Sequence, residues 1–171
     1  MTEDRRIAAI VSAQVGRNPR EPWRVAAWCS WGMPTAIVSP SVLADGTPYP
    51  TYAWLTCPHL SERCATLESA GEAARINAAM RQDPVLAAGV HAAAQELAAA
   101  RARESGGLDA CAGLGTAGTR MGAKVKCLHA HVAARLAGVE DPVGARIIAL
   151  GPAACADGRC RRFETSSEEV R

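Results

Sequence analysis

The stretch "DPVLAAGVHAAAQELAAARARE" (Asp83 to Glu104) constrains the fold more than any other part of the chain. Alanine has the highest intrinsic helix propensity and loses no side-chain entropy on folding. The run therefore reads as one helix from Pro84 to about Arg103, and not as low-complexity disorder. Asp83 is placed to cap it and Pro84 to open it. Aromatic residues make up only 4% of the chain, so Ala, Val and Leu must supply most of the packing.

Other elements follow from punctuation. A first helix is expected from about Glu3 to Val15, stopped by Gly16. After the basic loop "GRNPREPWR" come two apolar runs, "WRVAAWC" and "PTAIVSP", which read as a hairpin or neighbouring strands. "YAWLT" is a third short strand candidate beyond the turn-rich "LADGTPYPT". In "TCPHLSERCATLESAG" the period becomes helical, with Thr56 or Cys57 as cap, Pro58 in the first turn and Gly71 as stop. Further helices are expected around Glu72 to Arg81, over Lys124 to Gly138, and after Asp141-Pro142. The fold class is α+β: a small antiparallel sheet of two to three short strands packed against about five to six helices. Residues 1–152 are expected to form a single domain and 153–171 a polar, flexible tail.

At 171 residues the chain can bury a core without covalent staples. A formal net charge of +2 is too small to argue for nucleic acid by bulk electrostatics. The N-terminal stretch lacks the apolar core of a secretory signal, and no later segment is apolar for long enough to span a bilayer. Cytoplasmic localisation and no membrane insertion are the resulting expectations. Thiols there stay reduced, which argues against reading the seven cysteines as a disulfide framework, and their odd number argues the same way.

"KVKCLHAHVAARLAG" (Lys124 to Gly138) carries a cysteine and two histidines within five positions. Read as a continuous helix advancing about 100° per residue, it places Val125, Leu128, Val132, Leu136 and Val139 on one core stripe. His129 then lies at the edge of that stripe, about 200° from Cys127, and cannot easily share a small site with it. Cys127 and His131, four residues apart, stack one turn from each other. That spacing suits two ligands of one metal ion, or a thiol polarised by a general base. Further ligands would come from Cys29, Cys57 or Cys111. Cys57 stands at a helix start that favours a thiolate. Cys64 falls on a stripe with Leu60 and Leu67 and reads as core. Cys155 and Cys160, in the tail, match no metal knuckle.

Weaker signals are set aside. "GLGTAG" (Gly113 to Gly118) formally matches a dinucleotide glycine pattern but follows a helix and loop, where that mechanism requires a strand. Arg17, Arg20 and Arg24 are candidates to clamp an anion, Arg17 and Arg20 foremost. His91 has no metal-capable neighbour in sequence. The four tryptophans cluster around the strand candidates, as core or as the wall of a pocket.

"GRNPR", "GMPTAIVSP", "DGTPYPTYAWLTCP" and "KVKCLHAHVAARLAGVEDPVG" together resemble the bacterial family known as domain of unknown function 501. The likeness runs from about Ile7 to Leu150, with four motifs in the same order. It picks out Arg17, Pro48, Pro50, Thr56, Pro58, Lys126, Cys127, His129 and Pro142. It also implies a further histidine in many members where this chain has Ala134. The family's genes often neighbour those of a septum-formation protein and an exopolyphosphatase-like enzyme, which implies a division- or envelope-related protein partner and no particular activity.

Three functions follow. The first is a zinc or iron–sulfur centre built on Cys127, completed by His131, His129, Cys57, Cys111 or Cys29. The second is a non-catalytic partner protein in which Cys127 and His129 are structural. The third is a metal-free enzyme with Cys127 as nucleophile and His131 as base.

Overall fold

The computed structural model describes residues 2–165. Helix α1 (Glu3–Val15) ends where Gly16 takes a left-handed conformation, φ +73°. Strands β1 (Arg24–Trp28), β2 (Pro34–Val38) and β3 (Ala53–Leu55) then form an antiparallel sheet in that order. Every residue of β2, the central strand, is buried. Helix α2 (Pro58–Ser69) follows with Cys57 as its cap, then α3 (Glu72–Met80). The alanine-rich run is α4 (Pro84–Glu104), and Asp83 Oδ1 accepts from the N–H groups of Val85 and Leu86 at 2.9 and 3.1 Å. Helices α5 (Leu128–Leu136), α6 (Pro142–Ala149) and the short α7 (Arg162–Thr165) complete the order. The fold is α+β, with more helices than the sequence reading counted because α7 forms inside the segment expected to be tail.

Small side chains let α5 run through the centre. Leu128, Val132, Ala133 and Ala134 are fully buried, packed with Val38 and Leu55 of the sheet, Leu60 of α2, Val90 of α4 and Ile147 of α6. Ile10, Met33 and Cys160 form a smaller second core, flanked by Cys29 and Phe163. Cys160 and Phe163 of the expected tail pack into this core, and Arg6 of α1 pairs with Glu164 of α7; 166–171 lie outside the described residues. No helix among the described residues is long and apolar enough to cross a membrane.

Arg101, on α4, is completely buried. Its guanidinium donates to both Asp109 oxygens (2.9 and 2.7 Å) and to the carbonyls of Pro50, Cys111 and Leu114 (2.8–2.9 Å). One side chain thus shapes both the glycine-rich loop after α4 and the segment that leads into β3, the two loops that border the site below. A buried guanidinium demands such partners, because an unpaired charge in the core is prohibitively costly.

Candidate metal centre

The helix expected from Lys124 begins only at Leu128; residues 124–127 are non-helical. Asn77 of α3 is one cause. Its amide donates to the Val125 carbonyl (2.7 Å) and its Oδ1 accepts from the Val125 N–H (2.9 Å). With both backbone groups held sideways, Val125 cannot join the helical ladder. Cys127 is the N-cap of α5, with φ −138° and ψ 116°. The helical angles assumed in the sequence reading therefore do not apply to it. That corrects the placement of its partners.

Cys127 Sγ lies 3.9 Å from His129 Nδ1, the histidine the angular reading had set apart. The same Nδ1 lies 3.2 Å from Glu68 Oε1. Glu68 sits at the end of α2, where a carboxylate opposes its own helix dipole. It is satisfied at the start of another helix instead, accepting from the Leu128 N–H at 2.6 Å. One ligand atom each from Glu68, Cys127 and His129 lie within 4.8 Å of one another, and all three residues are half-buried. Burial opposes a charge on His129, but the Cys127 thiol and then the Glu68 carboxylate prevail and push its pKa up to about 9. Sequence reasoning missed Glu68; its only signal was an acid in a last helical turn.

His131 is withdrawn from this group. It is 2% exposed, and its Nδ1 stands 2.7 Å from Asp141 Oδ2. The expected Cys127–His131 pair is not formed, because a cap residue and the fourth residue after it do not share a helix face in the way two interior residues do. Cys111 is buried within the glycine-rich loop and donates its thiol to the Ser41 carbonyl. Cys29 and Cys57 line a different cavity with Cys155 and Cys160. The convergence expected of Cys29, Cys57 and Cys111 on Cys127 does not occur. Cys64 is core, as its stripe predicted, and burial pushes its thiol up to about 12.

Two hollows of about 620 and 310 Å³ meet at His129, Trp54 and Arg17. Cys127, Pro50 and Gly118 line the smaller; Thr56, Pro58 and Ser61 line the larger. The Arg17 guanidinium lies 4.6 Å from the Trp54 ring centroid, so the tryptophan walls the cleft and steers the cation over it. Arg20 lines neither hollow; it pairs with Asp45 at 3.2 Å on the surface. Arg24 is paired with Glu104. His59 faces the Pro152 carbonyl and His91 that of Met121. Arg17, Pro50, Thr56, Pro58, Cys127 and His129, drawn from three separate sequence motifs, thus surround one cleft.

Chemically, the group offers sulfur, nitrogen and oxygen donors on a partly open surface. Three protein ligands with a free side are the pattern of a zinc ion that retains an exchangeable position. The thiol and the carboxylate also meet the same imidazole nitrogen. A catalytic relay needs one ring nitrogen for each partner; convergence on a single point is what coordination needs. A family model described as "Protein of unknown function (DUF501)" matches residues 25–149. No curated protein and no solved structure gives a match.

Proposed function

We propose, for a chain that belongs to the DUF501 family of proteins of unknown function, that it binds a single zinc-like ion through Glu68, Cys127 and His129. The observation that carries this reading is the approach of both Cys127 Sγ and Glu68 Oε1 to one atom, His129 Nδ1. A mixed donor set with one sulfur supports a mononuclear ion over an iron–sulfur cluster, which is held by several thiolates. The open side of the ion would face the cleft, where Arg17 supplies positive charge for a carboxylate or phosphate group of a small ligand. Such an ion lowers the pKa of a bound water and polarises an oxygen of the ligand.

Elemental analysis of purified wild type, Cys127→Ser, His129→Gln and Glu68→Gln tests the reading. Each variant is expected to hold one zinc fewer per chain than wild type, with an unchanged circular-dichroism spectrum. Equal zinc in wild type and all three folded variants would overturn it.

A second reading has one observation in its favour. Cys127 stands at the start of α5 beside a charged His129, the cysteine–histidine arrangement of a metal-free nucleophile. It requires Cys127 to be alkylated far faster than the other six thiols in chelator-treated protein.

A further inference from the structure

Four of the seven cysteines converge away from the Cys127 cleft. Cys29 ends the β1 segment, in a tight turn where its N–H donates to the Met33 carbonyl at 2.9 Å. Cys57 caps α2. Cys155 and Cys160 come from the C-terminal segment, beyond the residues the family model matches. All four line one cavity of about 10 Å³, room for a single atom-sized occupant. All four are free thiols.

The surroundings are built. The Trp31 indole donates to the Cys155 carbonyl at 2.8 Å, and Gly158, at φ +57°, lies so close under the Trp31 ring that a Cβ there would come within 3.0 Å of it. Arg159 grips Glu62 of α2 with two 2.9 Å contacts. Thr35, 3% exposed, lines the same cavity, and its Oγ1 is buried with no hydrogen-bond partner among the described residues.

We propose that Cys29, Cys57, Cys155 and Cys160 form a second, structural metal site that takes one zinc ion and ties the C-terminal segment to the sheet and to α2. Four sulfurs favour zinc or an iron–sulfur centre, and a one-atom cavity selects the single ion. Binding converts four thiols and Zn²⁺ into a tetrathiolate complex of net charge −2, with release of four protons. Two features offset that charge. Cys57 stands at the N-terminus of α2, where the helix dipole favours negative charge, and Arg159 adjoins Cys160. As free thiols the four are looser than a coordination sphere, since among the described residues the group with ligand atoms all within 4.8 Å is the Glu68 set. Closure therefore draws the segment 155–160 inward.

The test separates this site from the Cys127 centre. Cys127→Ser protein, equilibrated with zinc and freed of excess, is expected to retain one zinc per chain; adding Cys155→Ser and Cys160→Ser should abolish it. Cobalt added to zinc-free Cys127→Ser should give the intense visible absorption of a tetrahedral thiolate site. In zinc-loaded wild type, mass mapping of alkylation should show Cys29, Cys57, Cys155 and Cys160 protected together and released together by chelator, a readout that needs no variant to fold. Zinc in Cys127→Ser that survives loss of the tail cysteines, or alkylation of the four that ignores chelator, overturns the proposal.

Discussion

His131 Nδ1 and Asp141 Oδ2 meet at 2.7 Å inside the core, with side chains 2% and 0% exposed. Asp141 Oδ1 simultaneously accepts from the Gly144 N–H and caps α6. One carboxylate thus locks α5 to α6, and it holds inward a histidine that sequence spacing had assigned to the thiol. His131→Leu should cost about 1–3 kcal/mol, the penalty for leaving a buried acceptor unsatisfied. Zinc content should stay at the wild-type value. Thermal melts and elemental analysis check both; zinc loss from a variant that melts like wild type would make His131 a ligand.

Gly144 is where those two helices touch. A Cβ there would come within 2.3 Å of the His131 carbonyl oxygen and 2.7 Å of Arg135 Cβ. In an isolated helix Gly→Ala is worth about 1 kcal/mol of stabilisation. Here backbone must move, and Gly144→Ala should instead destabilise by about 1–3 kcal/mol, the usual range for overpacking. Chemical denaturation would show it as a lower midpoint with an unchanged slope.

Arg101→Met should be among the most damaging substitutions, at about 3–5 kcal/mol, because it leaves Asp109 without its cation and three carbonyls without their donor. Arg101→Lys should recover little, since an ammonium cannot reproduce the planar fork. The same pair sets a pH dependence. The Arg101 guanidinium holds the Asp109 carboxyl below its usual value of 3.8. Its stabilisation is therefore complete above about pH 4 and lost as pH falls through the lower folded value. An acid unfolding transition that does not shift in Asp109→Asn would contradict this.

In zinc-free protein His129 should titrate near 9, not near the usual ~6.5. A folded pKa above the unfolded one gives stabilisation that is fully present below about pH 6.5 and disappears as pH rises through about 9. Wild type should thus lose its advantage over His129→Gln across that window. Imidazole proton shifts followed by NMR give the pKa directly, and an unshifted titration would count against the Cys127–His129–Glu68 arrangement.

Helix starts and stops were readable in the sequence because they depend on neighbours. Asp83-Pro84, Cys57-Pro58 and Gly16 act through capping, a fixed proline φ or a left-handed glycine, all local effects. The start of α5 was not readable. Asn77 and Glu68, about 50 and 60 residues away in sequence, take the backbone groups of Val125 and Leu128. A periodicity argument has no access to such partners.

The sequence by itself determined the α+β class, the alanine-rich helix and the core stripe of α5, because propensity and hydrophobic period are properties of contiguous residues. Only the tertiary structure decided which side chains meet: His129 and not His131 beside Cys127, Glu68 as the third member, and Cys29 with Cys57 beside the tail cysteines. A shift of four residues in one helix start turns a thiol from one face to another. Contacts between distant segments settle such a shift, and no local pattern encodes them.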